Sequence, residues 1–176
     1  MIRSQRQFIR QLGILDPNPD DTLYQSLMFQ PRVVGVIVSA GVLLQSAPLF
    51  LLLAAALYWS AVRPDRNVFD TLYNGLVARR RGLPAVPVSL APRRAAMGQA
   101  GTLALIIGVA IATESAIVAW LFEAFLAIAV AGVIFARHCA GACIYYAVQG
   151  LLSGWLSAPS PGSHPAAASD LRAACR

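Results

Sequence analysis

Two long stretches almost without charge decide what this chain can become. Between Arg32 and Arg63 lie 30 residues with no charged side chain, and between Arg94 and Arg137 lie 42 with only Glu114 and Glu123. In water such runs need a polar surface elsewhere to cover them, and this chain has little. Of its 176 residues 57% are apolar and 12% charged, where a soluble domain carries about 25% charged residues. The mean hydropathy is +0.61. A soluble enzyme, a disordered chain and a soluble nucleic-acid module are excluded on these grounds, and the solvent for the two stretches is a bilayer. The first stretch would make roughly 45 Å of helix, against a hydrocarbon core of about 30 Å. It is long for one span and short for two ordinary ones. Gln45-Ser46-Ala47-Pro48 stands at its middle, and a proline there favours a tight turn, giving helices near 33–46 and 48–63. The second stretch is long enough for two spans, near 97–113 and 116–137, with Thr113-Glu114-Ser115 as the polar turn.

The 14 basic residues are all arginine. If each stretch crosses twice, every arginine falls on one side and neither outer turn carries one. The positive-inside rule then puts both termini and the central segment in the cytoplasm. The expected fold is an all-α integral membrane protein, with four transmembrane helices as two hairpins and short amphipathic helices at the N-terminus and in the central cytoplasmic loop. Three spans, or a first hairpin that only dips into the membrane, is the alternative. The expected segments are 1–30 (amphipathic, interfacial), 31–63 (first hairpin), 64–95 (Arg/Pro-rich loop), 96–150 (second hairpin with a cytoplasmic helix end) and 151–176 (flexible tail). Phe8, Ile9 and Leu12 share a face beside Arg6 and Arg10, which suits an interfacial helix. Asp16 to Asp20 would end it, a second short helix would begin at Asp20 or Asp21, and Pro31 would open span one. Within the loop, 67–81 reads as helix with Phe69, Leu72, Tyr73 and Leu76 on one face. No apolar leader follows the basic N-terminus, and no signal peptide is read.

Several segments together resemble a family of small bacterial membrane proteins, the domain-of-unknown-function family numbered 4395. They are Asn67-Val-Phe-Asp70-Thr-Leu-Tyr73-Asn74, Ala91-Pro92-Arg93-Arg94, Phe122-Glu123-Ala124 and Cys139-Ala140-Gly141. The resemblance spans roughly 30–150 and implies a four-span membrane fold without implying an activity. Some members carry two cysteines three apart. Here the second is four away, at Cys143.

Glu123 is the first candidate for chemistry. A carboxylate near the middle of a span normally faces the bundle interior, a partner or water. It suits proton transfer, cation binding or a partner contact, or else a structural hydrogen bond to a serine or a backbone carbonyl. No arginine, lysine or histidine lies in the expected spans to pair with it, and Glu114 sits at the outer turn, solvated. Cys139 and Cys143 are thiol candidates, on one face if the helix continues, beside Arg137 and His138. They are reduced by default if cytoplasmic, and packing residues on the plainer reading. No metal site is expected, since His164 and Cys175 alone remain as further ligands, both in the tail. Arg79, Arg80, Arg81, Arg93 and Arg94 are candidates for acidic lipid headgroups, and setting topology explains them equally. Small-residue pairs at Gly35/Ser39, Gly108/Ala112 and Ala127/Ala131 permit close helix approach.

No phosphate loop, nucleophile elbow or metalloprotease motif is present, so no catalytic residue and no cofactor is expected. The chain reads as a small polytopic bacterial inner-membrane protein. Its leading role is a non-enzymatic structural or accessory component of a membrane assembly. One alternative is a small transporter or ion-coupled protein using Glu123, and another is a membrane thiol or sulfur-redox partner using Cys139 and Cys143. Its expected partners are membrane lipids and other membrane subunits or further copies of itself, with no nucleic acid.

Overall fold

The computed structural model describes residues 3–14, 21–83, 85–86, 88–156 and 175, and every described element is helical. The breaker segment 16–20, Pro84, Pro87, and residues 157–174 (His164 among them) and 176 of the tail lie outside the described residues. The helices are α1 (Arg3–Gln11), α2 (Asp21–Leu44), α3 (Ala47–Val62), α4 (Val68–Tyr73), α5 (Arg79–Arg81), α6 (Ala91–Ala112), α7 (Ala116–Ala131) and α8 (Ala140–Leu156). A π-helical turn, Asn74–Ala78, joins α4 to α5, and another, Gly132–Ala136, extends α7.

Three of these helices are long and apolar enough to cross a membrane: α2, α6 and Ala116–Ala136. α3 is apolar but only 16 residues long, or about 24 Å at 1.5 Å per residue. The chain turns between α2 and α3 and between α6 and α7 where the polar residues stand. At each, an amide just past the helix bonds back to the carbonyl five residues earlier, Ser46 N to Gly41 O and Ser115 N to Ala110 O. The shorter bonds, Gln45 N to Val42 O and Glu114 N to Ile111 O, complete the pattern. This is a Schellman closure, which needs a left-handed residue and normally uses glycine. Here Gln45 (φ 44°) and Glu114 (φ 58°) fill that place.

Two expectations for the N-terminal part are corrected. α2 is one continuous helix of 24 residues running through Pro31, so there is no separate short helix before span one. Pro31 has no amide to offer the Leu27 carbonyl, but packing on both sides of the proline holds the helix: Leu27, Met28 and Val34 are all buried. α1 is amphipathic as its pattern requires, but its apolar face is not left for the membrane surface. Phe8 and Ile9 are each 1% exposed. They pack in a cluster with Tyr24, Leu27, Met28, Tyr73 and Cys139, and Phe8 meets Tyr24 edge to face at 6.1 Å.

α6 is the hub of the bundle, lying along α3 and also against α7 and α8. Its Ala104 and Ile107 are wholly buried. Glycines set the close approaches. A side chain at Gly108 would meet Leu51 of α3 at 2.8 Å, and one at Gly141 would meet Ala96 of α6 at 2.9 Å. Gly35 faces Ile134 and Val130 of the α7 segment. The far side of α7 is bare, with Ile117, Trp120, Phe125 and Ile128 all exposed. In the loop helix Phe69 and Tyr73 are buried while Leu72 and Leu76 are exposed. The inward face is therefore rotated from the expected one, and it carries Asp70.

Candidate functional site

Glu123 lies seven residues beyond Ala116, the first residue of α7, about 10 Å along the axis from the hairpin end. It is 5% exposed. Its partner is neither a cation nor a serine. The side-chain amide of Gln45 donates to both carboxylate oxygens at 3.2 Å and also to the Val42 carbonyl at 2.9 Å. The turn of the first hairpin is thereby tied to the middle third of α7. A non-glycine residue in the left-handed region costs about 1–2 kcal/mol. At position 45 the side chain that glycine would lack is the one that reaches Glu123.

A second buried polar cluster lies toward the opposite, loop end, and no sequence pattern marks it as a unit. Arg93 forms a two-pronged pair with Asp70, Nη1 to Oδ2 at 3.1 Å and Nη2 to Oδ1 at 2.6 Å. Nη2 also donates to Gln30 Oε1 at 2.7 Å. Ser89 Oγ donates to Asp70 Oδ2 at 3.3 Å, and Asn67 Nδ2 donates to Ser89 Oγ at 3.2 Å. Asn67 meanwhile caps α4 by accepting from the Phe69 amide. Such a planar fork is the geometry arginine makes with a carboxylate. Removing one member of a buried pair costs roughly 3–5 kcal/mol, so the loop is fastened to α2 and α6 by a strong clamp. This corrects the reading of Arg93 as a headgroup residue: at 6% exposure it points into the protein, because Asp70 is there to neutralise it. Its neighbour Arg94 is exposed and donates Nε to the Ala61 carbonyl at 2.7 Å. Arg79, Arg80 and Arg81 are all exposed.

The third cluster is the reversal from α7 to α8. Arg137 is left-handed (φ 56°). Its side chain donates to Ser4 Oγ at 2.8 Å and lies 5.8 Å from the centre of the Tyr24 ring, which holds α1 in place. Gln11, fully buried, accepts from the Cys139 amide at 3.0 Å and meets His138 Nδ1 at 3.1 Å. Cys139 is a free, buried thiol, and burial pushes its pKa up, so it is protonated at neutral pH. Cys143 does not pair with it. Cys143 is in a disulfide with Cys175, 32 residues on, whereas a cytoplasmic location would favour reduced thiols. His138 Nε2 lies 3.8 Å from the Cys143 sulfur. Among the described residues no group of three or more histidine, cysteine or acidic side chains is placed to hold a metal.

Between these clusters runs a cavity of about 510 Å³, walled by α1, α2, α3, α6, α7 and the start of α8. Its lining is overwhelmingly apolar, with Gln30, Arg93 and Gln99 as the exceptions. The sequence signalled it only indirectly, through small residues such as Ala96, Ala100 and Ala129 on helix faces that turn toward it.

A family model described as a domain of unknown function (DUF4395) matches residues 26–149. The match covers all four segments on which the resemblance was based. Neither the curated proteins nor the solved structures give a match.

Proposed function

This chain belongs to the DUF4395 family, and from that premise we propose that it is a non-enzymatic inner-membrane protein acting as a structural or accessory component of a membrane assembly. In this reading the two hairpins make four crossings, with both termini and the loop on the cytoplasmic side, and the exposed face of α7 is offered to lipid, a second copy or a partner subunit. One observation carries the proposal. Glu123, a buried ionisable group within α7, has both oxygens engaged by Gln45 from the turn after α2, so its chemistry is directed at joining helices. The rival reading, an ion-coupled transporter, uses the same residue differently, and two substitutions separate them. Glu123→Gln keeps an acceptor for Gln45 but cannot release a proton. Glu123→Leu removes the bond, at about 1–2 kcal/mol in a bilayer. For an accessory role, glutamine is recovered with its co-purifying partners at the wild-type level in mild detergent, and leucine is recovered less. A glutamine variant that assembles normally yet loses a pH-dependent growth or flux phenotype would replace this proposal with the transporter.

A further inference from the structure

The apolar cavity is long as well as large. Along α7 its lining runs from Phe122 to Val133, eleven residues or about 16 Å. Along α6 it runs from Arg93 to Leu103, a similar length. A volume of 510 Å³ falls within the roughly 300–1,000 Å³ of small-molecule sites. The polar groups are few and specific. The Gln30 amide nitrogen and the Gln99 amide oxygen make no hydrogen bond to any described residue, since Gln30 is engaged through its oxygen and Gln99 through its nitrogen. The guanidinium of Arg93 is already neutralised by Asp70 at 2.6 Å. That part of the cavity therefore offers hydrogen bonds without net charge, an arrangement that favours a neutral head over a phosphate or a carboxylate.

We propose that this cavity is a binding site for a long-chain amphiphile with a neutral, carbonyl-bearing head, the chain lying between α6 and α7 and the carbonyl accepting from Gln30. Two sources in a membrane share that chemistry, an isoprenoid quinone and a neutral acylglycerol. The site is independent of the accessory role proposed above.

Cys139 lines the cavity and gives a local reporter. In the full chain carrying Cys143→Ser and Cys175→Ser it is the one remaining thiol. Its labelling by N-phenylmaleimide in a maltoside detergent is followed by intact mass. Decylubiquinone, monoolein and palmitate are the three probes. At a free concentration ten times its dissociation constant, a competing occupant slows labelling by about tenfold. Protection by decylubiquinone alone points to a quinone, by monoolein alone to an acyl lipid, and by both to the shared head. Failure of both neutral probes, or stronger protection by palmitate, overturns the proposal. A second variant, Ala129→Phe, fills the wall of α7 and is expected to abolish protection while Cys139 still reacts. Full protection in that variant places the occupant elsewhere and also overturns it. The wild-type wall decides the matter if that variant does not fold.

Discussion

Among the described residues, three other than glycine have left-handed backbones: Gln45, Glu114 and Arg137. Two of them have side chains that reach another element, Gln45 to Glu123 and Arg137 to Ser4 and Tyr24. The carboxylate of Glu114 is exposed and meets no hydrogen-bond partner among the described residues. The same substitution should therefore act in opposite directions. Glu114→Gly relieves strain with nothing lost and is expected to raise stability by about 1 kcal/mol, after the entropic cost of glycine. Gln45→Gly and Arg137→Gly relieve the same strain but each cuts a tether, so neither is expected to stabilise. Thermal unfolding of the three variants in one detergent checks this, and a gain at position 45 equal to that at 114 would remove any role for the Gln45 bond. The burial of Glu123 was legible from its place in an apolar run. Its partner was not, because nothing local marks a glutamine as the residue that will stand in for glycine at a turn. The pairing joins positions 78 residues apart.

At the scale of helices, hydropathy located the apolar segments and the turns that separate α2 from α3 and α6 from α7, and it missed where polar groups are buried. Leu72 and Leu76 fit a helical stripe with Phe69 and Tyr73, but the stripe that turns inward contains Asp70, since Arg93 waits there to bind it. An apolar pattern cannot reveal a face chosen by an ion pair. The same limit applies to α1, whose pattern suits a membrane surface and a protein groove equally; the buried contacts of Phe8 and Ile9 decide between them. A comparison of two substitutions tests that docking. Ile9→Ala, at 1% exposure, is expected to cost about 2–5 kcal/mol, as large-to-small changes in packed sites do. Ile117→Ala, at 87% exposure on α7, is expected to change stability by less than about 0.5 kcal/mol, as surface substitutions do. Equal effects in a detergent melting experiment would mean that α1 lies loosely on the bundle.

For the molecule as a whole, the proposed orientation rests on the arginines, and reporter fusions test it directly. Fusions after Arg10, near Arg80 and after Gly150 are expected to report cytoplasm, and those near Ser46 and Glu114 the opposite side. A signal from the opposite side at Arg80 would remove the four-crossing layout. The Cys143–Cys175 bond bears on the same question, because structural disulfides are rare in a reducing cytoplasm. In cells with a cytoplasmic C-terminus these two sulfurs should be alkylated as free thiols and should close on extraction into an oxidising buffer. The tether between Gln45 and Glu123 has a consequence of another kind. It holds the polar turn of the first hairpin beside the middle third of α7, well below the tip of the second hairpin, and α3 itself is only 16 residues long. In the proposed four-crossing layout, the two flanks of the protein would present different hydrophobic heights to the surrounding lipid. A bilayer meeting the shorter flank must thin there or draw headgroups and water inward, at a fraction of a kcal/mol for each ångström of mismatch. Such a protein would bend its local membrane to one side and collect where the bilayer is already thin.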